Sequence, residues 1–153
     1  MFQNFCKDKG IRITSHTGFK GSWLCLWLSL MGAKVYGISI NKTKLFKIFS
    51  GKNIKSSYFD VRNIKKLKQK ILTIKPDIIF HLAAQSLVGE SFKDPLYTWS
   101  TNVLGTINIL ESVKNYKKKC TLIIITSDKA YKNIETKKGY KENDILHGID
   151  PYS

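Results

Sequence analysis

"ITSHTGFKGSWL", Ile13 to Leu24, is the stretch on which the fold turns. It begins in a short β-branched run, "IRIT" (Ile11 to Thr14), and ends in a helix-like segment from Lys20 to Met31. Between them Gly18 and Gly21 stand where a glycine-rich turn needs them, while Ser15 occupies the place of a first glycine. Strand, glycine turn and helix form the setting of a dinucleotide-binding loop, because a helix N-terminus offers unpaired N–H groups and partial positive charge to a pyrophosphate. Two glycines are weak evidence by themselves, since strand-to-helix turns use glycine for many reasons. The acid expected about 20 residues further on, to hold ribose hydroxyls, is replaced by Asn41. An amide there still bonds a hydroxyl, in favour of NAD over NADP, but repels a 2′-phosphate less than a carboxylate does.

Outward from this turn the chain alternates. "AKVYGISI" (Ala33 to Ile40) and "SYFDV" (Ser57 to Val61) read as second and third strands. Asn63 is placed to cap a helix with an apolar stripe of Ile64, Leu67, Ile71 and Leu72. After Pro76, "DIIFHLAA" (Asp77 to Ala84) is a continuously apolar strand of the kind buried on both faces. A long helix follows Pro95, from Leu96 to about Tyr116, with Trp99, Val103, Ile107 and Leu110 at helical spacing. "CTLIIIT" (Cys120 to Thr126) is the fifth strand, and Ala130 to Ser153 reads as loop. The first helix, apolar on nearly every face, is expected to be buried, with Gly32 capping its end. This alternation predicts a doubly wound α/β domain with a parallel sheet, over residues 1–153 and without internal boundary.

Composition excludes several classes. Apolar residues make up 42% of the 153, which a disordered chain does not reach. The net charge of +15 raises the question of nucleic acid, but all but two of the 26 basic residues are lysines scattered along the chain. Base and phosphate readers lean on the bidentate guanidinium, so a solvated lysine surface is the better reading and no nucleic-acid partner is expected. Three cysteines without CxxC spacing and three dispersed histidines point to no metal and no disulfide, and a reduced, cytoplasmic chain is the default. The most apolar run, Trp23 to Met31, is too short to cross a bilayer.

The later segments "FDVRN", "IIFHLAAQSLV", "DPLYTWSTNVLGTINILES", "TSDKAY" and "GYKENDILHGIDPYS" follow the turn in order. Together with it they closely resemble the N-terminal part of CDP-glucose 4,6-dehydratases, members of the extended short-chain dehydrogenase/reductase superfamily. "HLAA" and "NVLGT" mark the wider superfamily; "TGFKGSWL" and "TSDK" mark this branch, whose dTDP-glucose relatives carry Asp-Glu where Asp-Lys stands here. The resemblance implies a Rossmann-like NAD-binding domain. Ser15, Thr17, Gly18, Phe19, Lys20 and Gly21 would form the pyrophosphate turn, and Asn41 would face the ribose. Asp60 and Val61 would meet the adenine, Leu82, Ala83 and Ala84 would line the cofactor channel, and Asn102 would lie near the active site. Ser127, Asp128, Lys129 and Tyr152 would be catalytic.

The implied reaction oxidises C4 of CDP-glucose, eliminates water across C5 and C6, and returns the hydride to C6, in deoxysugar biosynthesis. Tyr152 would be the base at the C4 hydroxyl, Ser127 its hydrogen-bond partner, Lys129 the base at C5 and Asp128 the acid at the departing C6 hydroxyl. A homo-oligomer is implied for the complete protein. Ser15, Gly89 and Ala130 depart from the family pattern, and Ile134 to Lys138 lacks its aromatic character. The chain reaches Ser153 before the lysine that the family carries one helical turn after its tyrosine, and before the nucleotide-sugar domain. The expectation is an N-terminal fragment without turnover of its own. An epimerase of the same superfamily and a noncatalytic cofactor-binding remnant stay open as alternatives; the Asp-Lys pair speaks against the first.

Overall fold

The computed structural model describes residues 5–49, 54–135 and 137–153. Five strands form one parallel sheet: β1 (Gly10–Thr14), β2 (Lys34–Ser39), β3 (Ile54–Tyr58), β4 (Ile78–His81) and β5 (Thr121–Ile124), in the order β3-β2-β1-β4-β5. Strand order reverses between β1 and β4. In such sheets the carboxyl ends of the two central strands diverge into a crevice, which is where doubly wound proteins place ligands.

Helices α1 (Phe19–Leu30) and α2 (Lys44–Phe49) pack together near β1 and β2. The core on this side holds Ile11, Ile13, Cys25, Leu28, Val35, Phe46 and Ile78. A second core gathers Ile38, Leu67, Ile71, Ile79 and Ile109, where α3 (Ile64–Ile74) meets a long helical arm. That arm consists of α4 (Val88–Lys93), α5 (Pro95–Trp99), a π-helical turn (Ser100–Leu104) and α6 (Gly105–Val113). Asn63 caps α3 as its sequence predicts, Oδ1 accepting the Lys66 N–H at 3.0 Å. Gly32, at φ 81, follows the end of α1 in the left-handed region.

Several expectations are corrected. β3 begins at Ile54 and ends before Asp60; β4 and β5 are shorter than their apolar runs, because Leu82–Ala84 and Ile125–Thr126 leave the sheet to form the crevice. The short helices α2 and α4 have no counterpart in the periodicity. Helix α1 is not buried all round, since Trp23, Trp27 and Leu30 are exposed. On the long arm the predicted stripe is not buried: Trp99 and Leu110 are exposed, Val103 and Ile107 line the crevice, and Leu72 on α3 is exposed. The buried face is Thr98, Thr101, Gly105, Ile109 and Ser112. Small residues are needed there because the backbones approach closely; a Cβ on Gly105 would lie 3.0 Å from Val61 Cγ2. Thr106 and Ser112 meet their polarity by donating to the carbonyls of Asn102 and Asn108, both at 2.6 Å.

Gly37 on β2 leaves the slot that the His16 ring fills, and any Cβ there would overlap that ring. The ring, fully buried, bonds Ser56 Oγ through Nε2 at 2.8 Å and packs edge-on against Phe46. Gly37→Ala should therefore lower stability by about 1–3 kcal/mol, the usual cost of overpacking. A urea titration checks this; a midpoint equal to the parent's would mean that the ring is free to move away.

Candidate functional site

The turn of the opening stretch connects β1 to α1 at the switch point. Ser15 adopts φ 54, so the left-handed position has been given to a serine. Its carbonyl accepts the Gly18 N–H at 3.0 Å and closes the turn. Thr17 locks the turn to β2: its N–H donates to Ser39 Oγ at 3.1 Å and its hydroxyl to the Asn41 carbonyl at 2.7 Å. Gly21 brings α1 against this loop so closely that a Cβ would overlap the Ser15 carbonyl oxygen and lie 2.8 Å from His16 Cα.

Gly18 is the N-cap of α1 and supplies no side-chain cap, and no acidic residue lies in the first turn. The N–H groups of Phe19, Lys20 and Gly21 thus lack intrahelical acceptors, and Lys20 adds a cation at the positive end of the helix. That arrangement suits a helix that receives an anion. Relieving the left-handed serine should help the fold itself. Ser15→Gly removes about 1–2 kcal/mol of strain against about 0.5–1 kcal/mol of added chain entropy. Thermal denaturation should show a small gain; a loss would mean that the serine side chain contributes more than its backbone costs.

In front of the turn lies a cleft of about 670 Å³. It is lined by Ser15, Gly18, Phe19, Lys20 and Gly21 from the turn, by Leu82, Ala83 and Ala84 after β4, by Asn102 in the π turn, and by Ser127 and Tyr152. His81, Ser86, Thr106, Ile124 and Ile125 complete much of the wall and were not singled out from the sequence. Thr17, Asn41, Asp60, Val61, Asp128 and Lys129 do not line it.

Asp60 is held by Arg62, which donates Nε at 3.0 Å and Nη2 at 2.7 Å to Oδ2 and its backbone N–H at 2.8 Å to Oδ1. These bonds keep the carboxyl below its ordinary range, so it stays an acceptor at neutral pH. Val61 is buried in the second core. Ser127 sits after β5, accepts the Lys129 N–H at 3.2 Å and donates to Asp128 Oδ1 at 3.3 Å, capping the short 3₁₀ turn Asp128–Ala130. It therefore caps the following loop and also faces the cleft. Tyr152 is presented by an Asp150 turn whose Oδ1 accepts the N–H groups of Tyr152 at 2.8 Å and Ser153 at 3.0 Å. Asn102 is tied to the Gln85 backbone: Oδ1 accepts the N–H at 2.8 Å and Nδ2 donates to the carbonyl at 2.9 Å.

Burial alone pushes the His81 ring down to about 4 from 6.5. The unfolded ring takes up a proton below about pH 6.5 and the folded ring only near pH 4, so this part of the stability is complete above pH 6.5 and is lost as pH falls toward 4. The loss amounts to about 3 kcal/mol. Urea titrations of parent and His81→Gln across that window should show the parent's stability falling more steeply; parallel curves would contradict the burial argument.

Among the described residues no helix is long and apolar enough to cross a membrane, and no group of three or more His, Cys, Asp and Glu could hold a metal ion. A parallel, doubly wound sheet with a glycine turn and a crevice at its switch point defines a Rossmann-like domain. Residues 13–153 match the family described as GDP-mannose 4,6 dehydratase, and the chain belongs to that family. It is 45% identical over 99% of its length to the CDP-glucose 4,6-dehydratase of Salmonella typhimurium (strain LT2), of which it covers 43%. The X-ray structure of Pal from Bacillus thuringiensis matches 94% of this chain with a TM-score of 0.85 and 26% identity, the match covering 47% of that chain. The UDP-glucose-4-epimerase of Stenotrophomonas maltophila, solved with bound NAD and formylated UDP-arabinopyranose, matches 94% with a TM-score of 0.83 and 23% identity, covering 44% of that chain. The chain thus spans less than half the length of these proteins.

Proposed function

We propose that this chain is the NAD-binding part of a nucleotide-sugar 4,6-dehydratase acting on CDP-glucose. The observation that carries the reading is the cleft at the switch point, which gathers the uncapped start of α1, Leu82–Ala84, Asn102, Ser127 and Tyr152. The residues fit a dinucleotide: the Phe19, Lys20 and Gly21 amides with the Lys20 ammonium would take the pyrophosphate, and Asn41 and Asp60 would take ribose and adenine at the flank. NAD, when bound, supplies the acceptor for a hydride.

What remains is proton handling by the chain. Tyr152 takes the proton of the C4 hydroxyl and Ser127 donates to the same oxygen. Lys129 removes the proton at C5 and returns it there when C6 is reduced, and Asp128 protonates the departing C6 hydroxyl; both are exposed beside Ser127. The 45% identity to a CDP-glucose enzyme and the Asp-Lys pair support CDP-glucose over other nucleotide sugars. Exposed Trp99 and Leu110, which do not line the cleft, suit a homo-oligomer of the complete protein.

The test is a chimera in which residues 1–153 replace the matching part of the Salmonella CDP-glucose 4,6-dehydratase. Formation of the 4-keto-6-deoxy product from CDP-glucose, with Lys129→Ala accumulating NADH in a single turnover, is the expected result. A folded chimera that binds NAD yet makes no product would favour a noncatalytic remnant.

A further inference from the structure

The proposed chemistry leaves one buried histidine of the cleft unused. His81, at the end of β4, is 2% exposed, and its two ring nitrogens have separate partners: Nδ1 lies 2.8 Å from Thr14 Oγ1, Nε2 3.2 Å from Thr106 Oγ1. Counting protons fixes the direction of each bond. Thr14 Oγ1 accepts the N–H groups of Leu82 and Ala83, both at 3.0 Å, which occupies its two lone pairs. Its hydroxyl proton then goes to His81 Nδ1, which must be bare. The ring proton therefore sits on Nε2 and is donated to Thr106, whose own proton goes to the Asn102 carbonyl at 2.6 Å. The bonds run one way from the strand end to the π turn. Burial is the sole cause acting on the ring, with no charged group contributing.

We propose that His81, as the neutral Nε2–H imidazole, is a positioning residue that ties the π turn carrying Asn102 to the carboxyl ends of β1 and β4 and so sets the spacing of the cleft walls. Imidazole offers a rigid acceptor and donor on opposite edges, which this gap requires. A leucine would leave the Thr14 proton and a lone pair of Thr106 unmet, and an imidazolium would aim an N–H at an oxygen already saturated. Asn102 and the Gln85 backbone form a second strap on the same turn. The consequence for ligand binding rests on the cofactor reading above; the hydrogen-bond chain itself does not.

The experiment has three arms on the 153-residue chain. Long-range ¹⁵N–¹H spectra at neutral pH should show His81 with a pyridine-like Nδ1 and a pyrrole-like Nε2; a protonated Nδ1 would overturn the proposal. Hydrogen exchange of the Thr101–Gly105 amides should quicken by about tenfold in Thr106→Val and return toward the parent in Thr106→Ser. Unchanged exchange in the valine variant, or a serine variant as fast as valine, would overturn it too. NAD titration of the same variants should weaken with valine and recover with serine. If the parent binds no NAD, the cofactor reading fails while the spectra and exchange still decide this proposal.

Discussion

Gly21→Ala is expected to abolish NAD binding by the chain, or to unfold the turn altogether. The added Cβ would overlap the Ser15 carbonyl oxygen and sit 2.8 Å from His16 Cα and 2.9 Å from the Ser15 carbonyl carbon. All three are backbone atoms of a loop that cannot give way cheaply: the Ser15 carbonyl accepts from Gly18, Thr17 is bonded to Ser39 of β2 and to Asn41 just after it, and the His16 ring fills the slot over Gly37. Relief requires α1 to back away from the turn, which withdraws the Phe19–Gly21 amides from the place where a pyrophosphate would lie. Losing two or three charge-assisted hydrogen bonds at about 1.5–3 kcal/mol each weakens binding by a hundredfold or more. Circular dichroism separates the two outcomes. NAD affinity within about threefold of the parent's, in a folded variant, would show that the helix does not cradle the phosphates.

The second large effect is the absence of turnover. Residues 1–153 alone should form no 4-keto-6-deoxy product from CDP-glucose above a no-protein control. Relatives are more than twice as long, and the proposed sugar-nucleotide half lies outside these residues. A phenol ionises near pH 10, so a tyrosine base working at neutral pH needs about 4 kcal/mol of electrostatic help. The family resemblance implies that this help comes partly from a lysine one turn after the tyrosine. Each lost acid–base step is worth roughly 10²–10⁴ in rate, before substrate positioning is considered. Product formation by this chain would overturn the division of labour between the two halves.

Some of this was legible in the residues, and some was not. The parallel sheet could be read because strand and helix patterns alternate, and the start of α1 because Gly18 and Gly21 frame it. Which face of the long arm is buried could not be read from hydrophobicity. Close backbone approach selects Gly105, Thr101 and Ser112 for the inside, while Trp99 and Leu110 stay outside. Arg12, inside the strand run Ile11 to Thr14, is fully buried, with Nη2 donating to the Lys70 carbonyl of α3 at 3.1 Å. Burial lowers its pKa to about 10. A guanidinium inside a core has no one-dimensional signature, because it depends on strand register.

At the site, the turn is legible from its strand–glycine–helix setting and Leu82–Ala84 from the family resemblance, whereas Thr14, His81, Thr106 and Asp150 are not. Their roles arise from contacts across long sequence separations. One signal was available: a histidine inside the apolar run Asp77–Ala84 must find polar partners once buried.

The measurement that bears most directly on the central claim is a calorimetric titration of the folded chain with NAD, followed by amide chemical shifts. The expected result is saturable one-to-one binding that moves the resonances of Gly18–Gly21, Leu82–Ala84 and Asn102. No heat and no shift changes at millimolar NAD, in a chain that remains folded, would contradict it.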